Sequence, residues 1–576
     1  MFPRITHVRS GGKAYQYLRI VETYREGGRH HQRVVANLGR LDLLGDKLDR
    51  LVLGLRRYCQ DRLVLPAEIR SNAAVAWGPI LVARHLWDQM GLSEMIGRVC
   101  RSARRGWDVA ETAFVLVANR LTEPTSEHGL ARWLEHTYVC DREGRRWEPD
   151  WLPAEAVTKK HRVKVADRQL QRWYRTLDAL RGAKSAIERE LYVRVRDLFS
   201  LKVNVVFYDL TSTFFRRREP TGRLRRHGKS RDGKPREVQV VVGVVMANGW
   251  PIAHHVFPGN TADRSTWQAV AADIEDRFGL ARVMLVADRG MVSPENLGFL
   301  SGRGFRYLVG IQGRRSGEAA AVLDALRTDP ACWEQVDADN RVQEVVLTRQ
   351  GLRYFVVEST PRQAYEQSLR ERSMERTRAA LERTREAVDA GRVKDPAKIG
   401  ARAARAMGAH HGARYFRYEV PGPGQFHFQL DEAKLGAEVR REGRYVLKSD
   451  DPAITAGDAV DAYKELATVE AGFRDLKDVI AMRPIWHQCD QRIEAHLFVA
   501  TLALFLKRTL QHHLDRHRIA LSATDALAAM KSMGATELDL AGRRHVVVCS
   551  PGPDGRRVLK ALGISQLSPP GPSPAS

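Results

Sequence analysis

Two short apolar runs in this chain each arrive at a carboxylate. NVVFYDLTSTF (204–214) carries β-branched and aromatic residues up to Asp209, and ARVMLVADRGM (281–291) does the same up to Asp288. Runs of this kind predict buried strands. A carboxylate at the rim of a buried strand is costly unless it is hydrogen-bonded, ion-paired or holding a cation. For Asp209 two readings stand. One is a turn-forming Asp bonded to its own backbone, with Thr211 and Ser212 continuing a turn or helix cap. The other is a metal ligand at the edge of a sheet.

The residues between the two runs bear on the choice. EVQVVVGVVMANGWPIAHHVFPG predicts two strands joined by a hairpin turn at 247–250. STWQAVAADIEDRFGL predicts a helix capped by Ser265. SPENLGFLSGRG predicts a short helix with Ser293 as cap and Pro294 at its first position, before the strand FRYLVGI. Three strands, a helix, a strand, a helix and a strand make a mixed sheet, in which the two acid-bearing strands are parallel neighbours. Asp209 and Asp288 then lie side by side, and two adjacent carboxylates repel unless a cation neutralises them.

Elsewhere, residues 14–38 predict a basic β-hairpin turning at Gly27–Gly28, and residues 70–200 predict mainly helices. RVQEVVLTRQGLRYFVVEST predicts a second hairpin, followed by a highly charged helix, then strands in ARYFRYEVPGPGQFHFQLD and GRYVLKSD. The tail SPPGPSPAS has the composition of a disordered segment. These shifts divide the chain into 1–65, a basic hairpin region; 66–200, a helical region, a DNA-binding domain if the partner is nucleic acid; 201–314, the first part of an α/β core; 315–450, a β-rich insertion with a charged helix; 451–545, the completion of the core with C-terminal helices; and 546–576, a partly disordered tail.

Charge narrows the partner. Lys and Arg total 93 against 69 acids, a formal net charge of +24, which suits a polyanion such as nucleic acid. The longest apolar stretch, Leu497–Leu506, is too short to span a bilayer, and the first residues hold no apolar signal core, so a cytoplasmic protein is expected. The cysteines Cys59, Cys100, Cys140, Cys332, Cys489 and Cys549 form no CxxC pair, which argues against a zinc module and a disulfide framework. The doublets His30–His31, His254–His255, His410–His411 and His512–His513 are poor metal sites, because adjacent side chains share no face, and they read as incidental.

A third acid is sought on DAVDAYKELATVEAGFRDLKDVIAMRP. Ala462, Leu466, Val469, Phe473, Leu476 and Ile480 recur at steps of three and four, a core-facing helical stripe that ends before Pro484. Tyr463, Glu470 and Lys477 are each seven apart, nearly two turns, and so share the face bordering that stripe. An ordinary solvated helix face is the alternative.

Asp209 in YDLTS, PGNTAD at 258–263, Asp288 in VADRG and VEAGFRDLK at 469–477 together resemble an insertion-sequence DDE transposase. More narrowly, the chain is similar to the insertion-sequence-four superfamily, which marks its third acid with a Tyr, Arg, Glu, Lys signature. Here that signature falls on Tyr463, Glu470 and Lys477, with Leu466 in the Arg position and Arg474 as a substitute. The resemblance implies a ribonuclease-H-like core with a β-rich insertion between the second and third acids. It implies Asp209, Asp288 and Glu470 as catalytic metal ligands, Asp209 shared between two Mg²⁺ ions (Mn²⁺ substituting) and the other two holding one each. It implies Tyr463, Arg474 and Lys477 as DNA-phosphate contacts, and a homodimer acting on double-stranded DNA at transposon ends and target. Cleavage and strand transfer by in-line displacement at phosphorus follow. An endonuclease of the same fold, or a non-catalytic DNA-binding protein, would share the sequence features. Trp333 is a candidate for stacking a flipped base, beside the alternative of an ordinary packing Trp.

Overall fold

The computed structural model describes residues 1–570 apart from 46, 56–57, 59–68, 72–73, 102–106, 148–158, 201–202, 217, 281, 289–292, 312–316, 348–350 and 541–542. The chain forms two compact units, Met1–Ala74 with Thr536–Val547, and Val75–Ala535 with Val548–Ser576.

The first unit is built on an antiparallel sheet of β1 (Phe2–Ser10), β2 (Lys13–Glu26) and β3 (Arg29–Arg40). Gly27 and Gly28 both take positive φ, 57° and 81°, which closes the β2–β3 turn in two residues as the hairpin reading requires. β1 is an added strand that the sequence reading did not include. Helices α1 (Leu41–Leu44) and α2 (Lys47–Leu55) and the short β4 (Ile69–Ser71) follow.

In the second unit β5 (Val75–Ala76) leads into α3 (Gly78–Gln89), α4 (Leu92–Val99), α5 (Val109–Thr122), α6 (Leu130–His136) and the long α7 (Lys159–Leu198), so 70–200 is helical as expected. The sheet begins with β6 (Val205–Phe214), β7 (Gln239–Ala247) and β8 (Trp250–Pro258), an antiparallel meander. Asn248 and Gly249, at φ 49° and 85°, make the β7–β8 turn. Next come α8 (Trp267–Phe278), β9 (Met284–Ala287), α9 (Pro294–Gly302) and β10 (Arg306–Gly310). β9 pairs in parallel with both β6 and β10. Ser293 caps α9, its Oγ accepting from the Asn296 N–H at 3.2 Å. Ser265 does not cap α8. It sits in a 3-10 turn, its Oγ donating to the Ala262 carbonyl, and Thr266 takes the cap position without a side-chain cap bond.

The middle of the chain supplies α10 (Gly317–Asp324), β11 (Glu334–Gln335), β12 (Asn340–Val345), β13 (Arg353–Ser359), α11 (Thr360–Asp389), α12 (Pro396–Ala409), β14 (Phe416–Glu419), β15 (His427–Leu430), α13 (Glu432–Val439) and β16 (Arg444–Ser449). β16 lies antiparallel between β10 and β13, so one nine-stranded sheet runs β11-β12-β13-β16-β10-β9-β6-β7-β8. The excursion from α11 to α13 has its own core around Leu381, Ile399, Ala403 and Phe416. It leaves and rejoins the sheet at one point, where the Ser359 N–H donates to the Gly443 carbonyl at 3.0 Å.

The unit closes with α14 (Ala456–Arg474), a π turn at Asp475–Val479, α15 (Asp490–Arg516), α16 (Ala523–Met530) and α17 (Pro553–Leu562); between the last two, β17 (Gly534–Leu540) and β18 (Arg543–Val548) belong mostly to the first unit. Val206, Tyr208 and Leu210 face a core formed with Trp267, Val270 and Ile274 of α8 and Leu297 and Leu300 of α9. By strand alternation Asp209 faces the other side. There α14 packs on β6, β9 and β10; of the stripe read from the sequence, Leu466, Val469, Phe473, Leu476 and Ile480 are buried and Ala462 is half-buried.

One other expectation changes. His254, part of a doublet read as incidental, is fully buried, and its Nδ1 meets Glu188 Oε1 at 2.7 Å in a cluster with Lys184 and Arg277 that ties α7 to β8 and α8. Only the first three residues of the tail SPPGPSPAS are described, Ser568 and Pro570 exposed. Pro569 is buried, and Trp77 Nε1 donates to the Leu567 carbonyl at 2.7 Å; residues 571–576 lie outside the described residues. Cys100 and Cys140 are buried free thiols, Cys332, Cys489 and Cys549 are free as well, and Cys59 lies outside the described residues. Among the described residues no helix is long and apolar enough to cross a membrane.

Candidate active site

The parallel register sets the first two acids. Phe207 pairs with Val286, so Asp209 and Asp288 stand at matching positions, two residues further along adjacent strands. The opening question about Asp209 has a mixed answer. The Leu210 N–H does donate to its Oδ1, at 2.7 Å, but no turn or cap follows. β6 runs on to Phe214 with Thr211, Ser212 and Thr213 buried, because β7 pairs with it as far as Gln239.

Glu470, the candidate third acid, lies on α14. Burial, together with Asp288 and Glu470, pushes the Asp209 carboxyl up to about 7, against the Leu210 hydrogen bond and Arg231, which pull it down. Asp209, Asp288 and Glu470 therefore share one electrostatic neighbourhood, although they lie on three elements. The rival acids on the same helix do not join them. Asp475 is committed to Lys507 Nζ at 2.7 Å, and Glu465 is raised by burial and by Asp461. The three acids offer only oxygen ligands, which suits a hard divalent cation such as Mg²⁺ or Mn²⁺.

The signature residues separate. Tyr463 sits at the acids, its hydroxyl 3.5 Å from Asp288 Oδ1. It also explains Gly310 at the end of β10, where any Cβ would come within 2.6 Å of the Tyr463 hydroxyl. Leu466, in the Arg position, is 5% exposed and belongs to the core stripe. Arg474 is exposed at the end of α14. Lys477 is not open to a ligand: its Nζ lies 2.7 Å from Oδ1 of Asp232, whose side chain is 3% exposed and which also takes Arg483 at 2.6 Å. Removing one partner of such a buried pair costs roughly 3–5 kcal/mol, so Lys477 is held in structural use. Trp333 is half-buried at the margin of the cluster of Val322, Val345 and Tyr354, with the Arg341 guanidinium 4.8 Å over its ring, and it lines a cavity with Arg353 and Ile454.

The sequence reading missed the loop that makes these contacts. HGKSRDGKPREV, between β6 and β7, places Arg231 and Asp232 at the site. Its signal was a strongly basic run interrupted by two acids, Asp232 and Glu237, between two core strands. The Arg231 guanidinium bonds Asp263 Oδ1 at 2.5 Å, so the PGNTAD motif has a structural partner.

Among the described residues the group whose ligand-type atoms gather most closely is a different one. Glu127, His487 and His496 are buried, with ligand-type atoms within 4.8 Å of one another. Buried Arg120 already brings a cation to them, 3.7 Å from Glu127 Oε1 and 3.4 Å from His496 Nδ1. A divalent ion added beside that guanidinium would leave a net buried positive charge, whereas Arg120 and Glu127 neutralise each other. The group is an ion network tying the loop before α6 to α15.

Residues 3–68 match the family described as IS1634 family transposase, N-terminal domain. A search of curated proteins finds no match. Among solved structures, the piggyBac transposase synaptic complex with hairpin DNA is 10% identical, with 80% of this chain and 82% of that chain covered and a TM-score of 0.34, a likeness too low to argue from. Residues 206–506, more than half of the chain, match the family described as Transposase DDE domain, and the chain belongs to the insertion-sequence DDE transposases.

Proposed function

We propose that the chain is a DNA transposase that cleaves transposon ends and joins their 3′ ends to target DNA, with Asp209, Asp288 and Glu470 as the ligands of two Mg²⁺ ions. The observation that carries this reading is the parallel register that sets Asp209 and Asp288 at matching positions on β6 and at the end of β9, inside the segment that matches the DDE domain. Three mutually opposed carboxylates from β6, the end of β9 and α14 are what a pair of divalent cations would relieve. We read the core as ribonuclease-H-like. The support is the strand order β8-β7-β6-β9-β10, an antiparallel meander whose first strand continues into two parallel ones.

Bound metal would supply charge stabilisation to the attacking and leaving oxygens of an in-line displacement at phosphorus. The protein's part is to fix the carboxylates. β6 and β9 hold Asp209 and Asp288 through sheet register, Tyr463 donates to Asp288, and α14, packed on β6 and β9, carries Glu470, which is exposed. The nucleophile is water for cleavage and a DNA 3′-hydroxyl for joining. The basic hairpin of 1–65 and the helices of 66–200 are proposed to read the transposon ends, and a homodimer to hold two ends together.

The test uses purified protein, Mg²⁺ and labelled DNA carrying the inverted ends that flank its own gene, with Asp288→Asn beside it. Specific nicks and joined products that vanish in the variant are expected. Nicks without joining would make the chain an endonuclease, and end binding with no cleavage in Mg²⁺ or Mn²⁺ would overturn the catalytic reading.

A further inference from the structure

The acids carry negative charge towards a substrate that is itself an anion, so some cation of the protein must meet the DNA phosphate. Lys477 is spent on buried Asp232. Leu466 has no charge, and no contact among the described residues ties Arg474 to the acids.

Arg231 differs from all three. Its backbone is pinned, the N–H donating to Ser212 Oγ at 3.0 Å, three residues past Asp209 on β6. Its loop is anchored next door, where Asp232 binds Lys477 and Arg483. Its side chain is 26% exposed, and Asp263, which it bonds, is 34% exposed. Among the described residues the other N–H groups of that guanidinium make no hydrogen bond. It stands close enough to Asp209 to pull that carboxyl down against burial. A half-exposed pair of this kind is weakly held and exchanges readily, and a guanidinium fork matches two oxygens of a phosphate.

We propose that Arg231 is the residue that binds the backbone phosphate at the cleaved position, leaving Asp263 for the phosphate when DNA enters, while Asp232 positions the loop that presents it. The proposal rests on the transposase reading above and adds to it the contact for the anionic substrate.

The test couples the residue to the charge of one phosphate. Affinity of the full chain for a duplex transposon end is measured in Ca²⁺, with native DNA and with a methylphosphonate at the cleaved position. Wild type, Arg231→Ala and Arg231→Lys are compared. Neutralising that phosphate is expected to weaken wild-type binding about 10-fold or more, and Arg231→Ala to weaken native binding by a similar factor. The two losses together should fall well short of their product, since each removes the same contact. Arg231→Lys, which keeps the charge without the fork, should lie between and retain sensitivity to the methylphosphonate. If Arg231→Ala does not fold, as judged by its thermal unfolding, the lysine variant carries the comparison. Losses that simply multiply, in a wild type that binds and nicks its ends, would remove Arg231 alone. A wild type that neither binds nor nicks those ends would overturn the transposase reading, and this contact with it.

Discussion

Replacing Asp209 with Asn should make the metal-free protein more stable at alkaline pH, although it removes a proposed catalytic group. The Asp209 carboxyl titrates at about 7 in the fold and at 3.8 ordinarily. Its folded value is raised, so the folded state binds the proton more tightly than the unfolded chain does. The stability this lends is present below pH 3.8 and is lost as pH rises through 7. A displacement of about three units at 1.36 kcal/mol each leaves ionised Asp209 costing the fold about 4 kcal/mol above pH 7. Near pH 5 the cost falls to about 1.5 kcal/mol. Asn cannot ionise and escapes the cost. In EDTA, Asp209→Asn should therefore unfold a few degrees above wild type at pH 8.5, with most of the gap closing by pH 5. Mg²⁺ should reverse the order at pH 8.5 by stabilising wild type and not the variant. The assay is thermal unfolding followed by circular dichroism across that pH range, with and without Mg²⁺. A variant less stable than wild type at pH 8.5 in EDTA, or a gap independent of pH, would refute the electrostatic account of the acid cluster.

Other expectations follow from the same geometry. Glu470→Gln should abolish nicking of the DNA ends while Glu465→Gln leaves most of it, and activity surviving the first change would move the third acid elsewhere. Glu127→Gln leaves the buried Arg120 guanidinium without its carboxylate and should cost roughly 3–5 kcal/mol, read from denaturant midpoints; a loss under about 1 kcal/mol would mean that Arg120 finds another partner. His496 is held down to about 4 by burial and Arg120. Its folded value lies below its ordinary 6.5, so the stability at stake is lost as pH falls from 6.5 towards 4, and His496→Gln should flatten that part of the acid-unfolding curve. Deleting residues 1–65 should abolish end-specific binding and lower the salt dependence of what remains, as measured by titration at several salt concentrations.

What the sequence revealed was local. Alternating apolar residues, the Asn248–Gly249 and Gly27–Gly28 turns and the Ser293–Pro294 helix start all act within a few residues, and each appears where expected. The parallel pairing of β6 with β9 was legible because a helix separates the two apolar runs. The failures have a common cause. Thr211–Thr213 look like turn residues until β7 pairs with them, and β16 looks like part of a separate insertion until it is found beside β10. The Lys477–Asp232 pair joins residues 245 positions apart, and no periodicity announces it. So helical spacing could put Tyr463 and Glu470 on one face, whereas the fate of Lys477 and the position of Arg231 depended on a loop whose composition alone is merely basic.

The closing of the α11–α13 excursion at Ser359 and Gly443 bears on how such a chain can change length. Both ends of that segment meet across one hydrogen bond, and its apolar residues are satisfied within itself. The segment can therefore be shortened, exchanged or replaced by a tight turn while β13 and β16 keep their pairing. β16 itself has no such freedom: it is bonded to β10 on one side and runs on into α14, so a register slip there would carry Glu470 away from the acids. Related chains should vary in size at the outer excursion and hold their length between β16 and the third acid.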